Sequence, residues 1–325
     1  MLSIFISFVV TGVLIVALLK TRLINLALDK PNERSLHVKV TPRTGGLALM
    51  VGVLAAWAYL QVEGYWLLLT ITLVLVSLVD DIRGLPVRWR LLTQLLVCGI
   101  FVYISLTGLP LFVQVFVWIG LVWVTNLFNF MDGADGVAGG MGLFGFLTYA
   151  VAAYLSGFND LALMCASIAA ASLAFLIFNF NPAKIFMGDA GSVTLGFLAG
   201  AIGIYGWQHQ VWPIGFALLV FSPFIVDASV TLTKRLLRGE KIWQAHRQHY
   251  YQRIIQMGWS HKKTALYAYL LMSLVSITAV LWMQLQHQVF LSLALWFIIY
   301  VCLALIIDFR WSKQLREQSN QLAIK

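Results

Sequence analysis

Residues 161–178 read Leu161-Ala-Leu-Met-Cys-Ala-Ser-Ile-Ala-Ala-Ala-Ser-Leu-Ala-Phe-Leu-Ile-Phe178, a run without a single charged side chain. An α-helix needs about 20 predominantly apolar residues to cross a bilayer core, so this stretch predicts a transmembrane helix. The flanking sequence repeats the pattern, with apolar segments near 2–19, 45–61, 65–79, 91–106, 110–128, 137–155, 193–208, 211–231, 265–284 and 289–307. The expectation is an all-α, polytopic integral membrane protein of about eleven transmembrane helices, ten being the other count these runs allow. It is expected to form one membrane-embedded domain over 1–325, with a cytoplasmic tail at 308–325. A composition of 61% hydrophobic and 11% charged residues excludes a soluble globule, since ordinary domains carry about 25% charged residues. The first run lacks a basic leading segment and a small-residue cleavage pattern, and reads as a signal anchor rather than a signal peptide. Cys98, Cys165 and Cys302 all fall inside apolar runs, where they act as small apolar residues with no metal or disulfide spacing.

The net charge of +9 is distributed on one side only. Taking the connections alternately, all 22 Lys and Arg residues fall in one set: between the first two runs, after the third, the seventh and the ninth, and in the tail. The positive-inside rule makes that side cytoplasmic, placing the N-terminus in the periplasm and the C-terminus in the cytoplasm. The excess therefore orients the chain and does not point to nucleic acid. The opposite connections, such as Val62 to Gly64 and Gln208 to Gln210, are short turns. Glu63 and Asp160 lie on that outer side, Asp227 lies within the ninth run, and the other ten carboxylates are cytoplasmic.

Five of those ten occur in three connections with little compensating charge: Asp80-Asp81, then Asp132 and Asp135, then Asp189. Carboxylates at membrane depth are costly unless paired or metal-bound. In Asn126-Leu-Phe-Asn129-Phe-Met-Asp132-Gly133-Ala-Asp135-Gly136 the spacing by three sets Asn126, Asn129 and Asp132 on one face of a helical turn. In Asn179-Phe-Asn-Pro-Ala-Lys-Ile-Phe186-Met-Gly188-Asp189-Ala-Gly191-Ser192 the next helix begins, so Gly188, Gly191 and Ser192 are expected to offer free backbone N–H groups to an anion. Oxygen donors without Cys or His suit Mg²⁺, or Mn²⁺, bridging substrate phosphates. The last basic connection contains His246-Arg247-Gln-His249-Tyr-Tyr-Gln-Arg253, a diphosphate or sugar clamp beside three carboxylate loops. Lys39 lies in a basic, glycine-ended first connection. An intramembrane aspartyl protease with Asp189 and Asp227 as its dyad fits poorly, because the tetrad is Phe-Met-Gly-Asp where such proteases carry Gly-x-Gly-Asp. A proton-coupled membrane transporter using Asp227 would place its site near the midplane rather than on one face.

These four ordered motifs, spread over about residues 29–253, resemble those of the polyprenyl-phosphate N-acetylhexosamine-1-phosphate transferases of glycosyltransferase family 4. That family includes the phospho-MurNAc-pentapeptide translocase and the enterobacterial-antigen and O-antigen initiating GlcNAc-1-phosphate transferases. The resemblance implies a Mg²⁺-dependent transfer of sugar 1-phosphate from a UDP-N-acetylhexosamine to undecaprenyl phosphate, releasing UMP, by a multi-pass enzyme of the bacterial inner membrane. It also implies that Asp189 ligates Mg²⁺ with Asn129 on the metal or diphosphate, and that Asp80 orients the lipid phosphate with Asp81 beside it. Asp132 and Asp135 would line the nucleotide pocket, Asp135 nearest uracil and Phe186 stacking there. His246, Arg247 and His249 would contact diphosphate and sugar, with Arg88 and Arg90 as further basic groups and Asp227 as the partner of a basic residue. The His-Arg-x-His-Tyr-Tyr loop departs from the His-His-His type of the translocase. It is closer to the O-antigen or capsule-initiating branch, which uses UDP-GlcNAc or deoxy sugars of the FucNAc or QuiNAc type. The translocase branch implies a homodimer.

Overall fold

The computed structural model describes residues 1–21, 26–29, 31, 36, 40–241, 244, 246–285 and 289–323. Lys39 lies outside the described residues. The chain is a polytopic helical membrane protein. In order its helices are α1 (Leu2–Lys20), α2 (Gly45–Tyr59), α3 (Gly64–Arg83), α4 (Val87–Ser105), α5 (Leu111–Phe130), α6 (Val137–Leu155), α7 (Asn159–Asn179), α8 (Asp189–Gln208), α9 (Phe216–Val220), α10 (Ser222–Leu237), α11 (Tyr250–Gln256), α12 (His261–Gln284) and α13 (Val289–Ala323). Two short strands, β1 (Leu28–Asp29) and β2 (Thr41–Pro42), pair antiparallel within the first connection.

Among the described residues nine helices are long and apolar enough to cross a membrane. Two of the eleven expected runs take another form. The run at 45–61 yields the 15-residue α2, about 22 Å long at 1.5 Å per residue and short of a hydrocarbon core of about 30 Å. Its shortness is tolerated because α1, α7 and α8 pack around it and bury Leu49, Met50, Val53 and Trp57. The run at 211–231 breaks at Phe221 into α9 and α10. Pro223 causes the break: it has no N–H to donate, and its ring collides with the carbonyl one turn back.

Burial ranks the helices. In the most apolar stretch of α8, 78% of residues are buried, against 6% in α13. At the centre, α7 packs on α6, α1 and α2, while α8 packs on α5 and α3. Lipid tails are as apolar as leucine, so helices in a membrane gain by close backbone approach over small residues. A Cβ at Gly196 of α8 would stand 2.6 Å from the Thr125 carbonyl of α5. Because α3, α5 and α8 are packed this tightly, the ends that carry Asp81, Asn129 and Asp189 converge.

Candidate active site

The sequence around Gly46 and Gly188 closes the site. Phe186 N donates to Pro42 O (2.7 Å), Gly45 N to Phe186 O (3.0 Å) and Gly46 N to Met187 O (2.8 Å), lacing the start of α2 to the start of α8. The Cα of Gly191 packs directly on Gly46, where any side chain would collide. Gly188 has φ +71° and faces Asp81 and the Arg43 carbonyl, a conformation and a space that favour glycine.

The neighbouring carboxylates Asp80 and Asp81 have different partners. Asp81 accepts from the backbone N–H groups of Asp189 (3.1 Å) and Ala190 (3.0 Å), so it occupies the positive end of α8. Arg43 Nε stands 3.6 Å from the same carboxylate, and its Nη2 donates to the Asp81 carbonyl (2.9 Å). Asp80 pairs with Arg90 Nη1 at 2.6 Å, and the same nitrogen reaches Asp189 Oδ2 at 3.1 Å. Arg90 thus bridges two of the sequence-flagged carboxylates.

This geometry corrects one expectation. The N-terminus of α8 is not open to a substrate anion, because Asp81 already fills it and the Gly191 and Ser192 amides donate to the Gly188 carbonyl. Gly191 is there for packing, while the Ser192 hydroxyl donates to Asn129 Oδ1 (2.9 Å) and fixes that amide.

Beside this core lies a cavity of about 140 Å³ lined by Asp29, Arg43, Asn129, Asp132, Gly133, Ala134, Asp135, Asn179, Phe186, Gly188, Asp189 and His261. The Asp132 carboxylate makes no hydrogen bond or ion pair among the described residues, while the residue's backbone N–H donates to the Asn129 carbonyl (3.2 Å). Burial, then the charges of Asp189, Asp81 and Asp29, push its carboxyl well above the usual carboxylate range. Arg43 lines the same cavity, but among the described residues no basic side chain pairs with Asp132. Among the described residues no three acidic, histidine or cysteine side chains form a complete cation cage. A hard cation between Asp132 and Asp189 would complete its shell with water and with ligand oxygens, and the oxygen-only donors fit that chemistry.

Asp135 is 7% exposed and committed to the protein. Its Oδ2 accepts from Asn181 Nδ2 (2.8 Å) and Ala183 N (3.1 Å). His261 Nδ1 lies 3.3 Å from both its Oδ1 and its backbone N–H, and the ring's protonation state selects between them. Burial opposes ionisation, but the bonds from His261 and Asn181 outweigh it and hold Asp135 below the usual range. Asp135 therefore ties three segments together at the cavity wall.

A second, narrower cavity on the other side of Asp189 is lined by Leu73, Val76, Ser77, Arg90, Thr93, Gln94, Asn126, Asn129, Asp189 and Val193. Asn126 donates to Gln94 Oε1 (2.7 Å) across α4 and α5. Asn129 and Asp189 line both cavities and separate them.

The histidine loop docks alongside without lining either cavity. His249, 3% exposed, stacks on Phe130 at 6.2 Å, and Tyr251 Oη donates to the Phe130 carbonyl (3.2 Å). Asp227 accepts from Tyr250 N (2.8 Å) and Tyr251 N (3.0 Å) and stands 3.4 Å from His249 Nδ1, so it caps α11. Burial, then His249 and Arg235, push His246 down to about 4, so this ring is a neutral hydrogen-bonding group and not a source of positive charge. Arg247 and Arg88 are exposed, the latter over the Trp89 ring. No contact among the described residues joins Asp189 to Asp227, as a protease dyad would require. Sequence reading passed over Arg43 and His261 as site residues. Arg43 enters that reading only as part of the basic, glycine-ended first connection, and the one available signal for His261 is a histidine at the start of an apolar run.

Comparison with known proteins adds an independent finding. Residues 64–207 match the family model Glycosyl transferase family 4. A probable undecaprenyl-phosphate N-acetylglucosaminyl 1-phosphate transferase of Bacillus subtilis is 31% identical, over 95% of this chain and 92% of that protein. An undecaprenyl-phosphate alpha-N-acetylglucosaminyl 1-phosphate transferase of Yersinia pestis is 30% identical over 72% of this chain and 71% of its own length. A phospho-N-acetylmuramoyl-pentapeptide-transferase of Staphylococcus saprophyticus is 27% identical over 81% and 91%.

Proposed function

Because this chain belongs to glycosyl transferase family 4, we propose that it transfers N-acetylhexosamine 1-phosphate from a UDP-sugar to undecaprenyl phosphate. UMP is released, and the lipid-linked product starts a cell-surface polysaccharide of the O-antigen or capsule type. The sugar is GlcNAc or a deoxy-N-acetylhexosamine. The histidine-loop sequence and the two N-acetylglucosaminyl relatives support this over the MurNAc-pentapeptide. The chain would cross the bacterial inner membrane eleven times, counting α2 as one crossing and α9 with α10 as another.

The observation that carries the reading is that Asp132, unpaired among the described residues, and Asp189 line one polar cavity whose wall also holds Arg43. A cluster of carboxylates short of positive charge calls for a cation, and two phosphorylated substrates need one as well. Asp132, Asp189 and Asn129 would hold Mg²⁺, or Mn²⁺, which when bound neutralises phosphate oxygens and polarises the phosphorus under attack. The diphosphate of the UDP-sugar would enter the larger cavity beside Arg43, with Phe186 presenting a ring to uracil at its wall. The narrower cavity, with Arg90, Ser77, Thr93, Gln94 and Asn126 beside apolar Leu73 and Val76, fits the lipid phosphate. Asp80 holds Arg90 toward that phosphate.

A lipid phosphate oxygen attacks the sugar-bearing phosphorus, a new P–O bond forms, and the bond to the UMP oxygen breaks. A phosphate monoester has its second pKa at about 6, so the nucleophile is already ionised at neutral pH and a direct displacement needs no strong base. Membranes carrying the chain are expected to release UMP from UDP-GlcNAc, or from another UDP-N-acetylhexosamine of a panel, only when undecaprenyl phosphate and Mg²⁺ are both supplied. Solute accumulation in sealed vesicles without lipid-linked product would instead identify a transporter.

A further inference from the structure

The terminal helix α13 is the least buried of the nine long apolar helices among the described residues, yet a carboxylate on it makes three polar contacts, two of them with the segment that carries the histidines. Asp308 Oδ1 accepts from Arg253 Nη1 (2.9 Å), and its Oδ2 pairs with Lys234 of α10 and accepts from Tyr250 Oη (3.1 Å). Lys234 Nζ also donates to Tyr250 Oη (2.7 Å). The Lys234 and Arg253 cations stand 5.4 and 5.1 Å from the Tyr250 ring centre.

Arg253 is the link to the loop. Its side chain is 6% exposed, and its Nε donates to the Gln248 carbonyl (2.7 Å), the residue between Arg247 and His249. A buried guanidinium that loses its counter-charge is strongly unfavourable, so its position depends on Asp308. From there the path continues to the cavity: His249 stacks on Phe130, and Tyr251 Oη lies against Gly133 on the cavity wall. Gln314 of α13 adds a second tie, donating to the Gln256 carbonyl at the end of α11 (3.2 Å).

We propose that Asp308 is a positioning residue: through Arg253 and Tyr250 it fastens the histidine loop to the terminal helix and holds the loop against the Phe130–Gly133 turn. α13 is then part of the machinery that shapes the nucleotide-sugar cavity, although it contributes no atom to it. The kinetic consequence rests on the transferase reading, while the structural one does not.

The test uses the full-length protein in nanodiscs, as wild type, Asp308→Asn and Asp308→Glu. Two quantities are read: the trypsin cleavage rate at the exposed Arg247, and kcat and KM for UDP-GlcNAc or the sugar the panel selects. Asp308→Asn is expected to be cut at Arg247 about fivefold faster, because the loop opens locally more often. Its KM for the UDP-sugar is expected to rise about tenfold with kcat within about threefold, since the loop shapes binding and not the reacting atoms. Asp308→Glu keeps the charge and is expected to recover both. Wild-type cleavage and KM in Asp308→Asn, or a Glu variant as impaired as the Asn variant, overturns the proposal. If Asp308→Asn does not fold, Tyr250→Phe removes only the hydroxyl arm of the clamp and should move both readouts the same way by about threefold; no movement overturns the proposal. If the wild type releases no UMP, the transferase reading fails, and cleavage at Arg247 still decides the clamp.

Discussion

Two clusters of charged side chains meet at the Phe130–Gly133 turn, and they differ in how their charges are matched. Around Asp227 and Asp308 every carboxylate faces a donor: the Tyr250 and Tyr251 amides for the first, Lys234, Arg253 and Tyr250 Oη for the second. Around Asp132 and Asp189 the acids outnumber the bases among the described residues, and Arg90 is shared between Asp80 and Asp189. The first cluster is satisfied by the protein and holds a shape. Among the described residues the second is left short of positive charge, which is costly in a folded chain unless a ligand supplies it. Composition alone would not separate them, since both combine aspartates with basic residues.

The sharpest way to break this distinction is to remove a carboxylate from the unmatched cluster. Asp189→Ala is expected to lower kcat/KM on the order of 10³-fold in the UMP-release assay; near-wild-type turnover would remove Asp189 from the cation site. Asp132→Asn should lose comparable activity and yet raise the melting temperature of the cation-free protein, because it relieves like-charge repulsion at a half-buried site. Adding Mg²⁺ should raise the melting temperature of the wild type and leave Asp132→Asn nearly unmoved, since a ligand stabilises only the state that binds it.

The matched cluster should respond the other way. Asp227→Ala strips the cap from α11 and leaves the Tyr250 and Tyr251 amides unpaired, at about 1–3 kcal/mol of stability, read as a lower denaturation midpoint with or without Mg²⁺. The smallest expected effect tests Asp135, which lies in the cavity wall but is matched. Its folded pKa is lowered, so the stability it adds is fully present above its unfolded value of about 4 and is lost as pH falls through the folded value. The stability gap between wild type and Asp135→Asn should therefore be largest near about pH 5, close below about pH 4, and narrow as pH rises through the folded value of His261, which Asp135 raises above its ordinary range.

Much of this was legible in the sequence. Nine of the apolar runs became single long helices, because hydropathy over about 20 residues reports a local property. The carboxylate motifs also placed Asp80, Asp81, Asn129, Asp132 and Asp189 around one site. Two runs were misjudged in form: α2, whose shortness depends on the helices around it, and the α9–α10 break at Pro223. The histidine loop read as a diphosphate or sugar clamp; the structure packs His249 on Phe130 and leaves Arg247 exposed, and neither lines a cavity. The α8 N-terminus read as an anion site, although Asp81, about 108 positions earlier in the chain, already fills it.

The sequence by itself determined that this is a membrane-spanning helical chain whose chemistry lies in its connections, because length, apolarity and motif spacing are properties of contiguous residues. Only the tertiary structure decided which charge meets which. Asp80 and Asp81 are chemically identical neighbours, yet one holds Arg90 and the other caps α8. Arg43, His261 and Asp308 gained their roles from partners on distant helices. An ion pair or a cap is made by separation in space, and separation in space between residues far apart in the chain is set by how the helices pack.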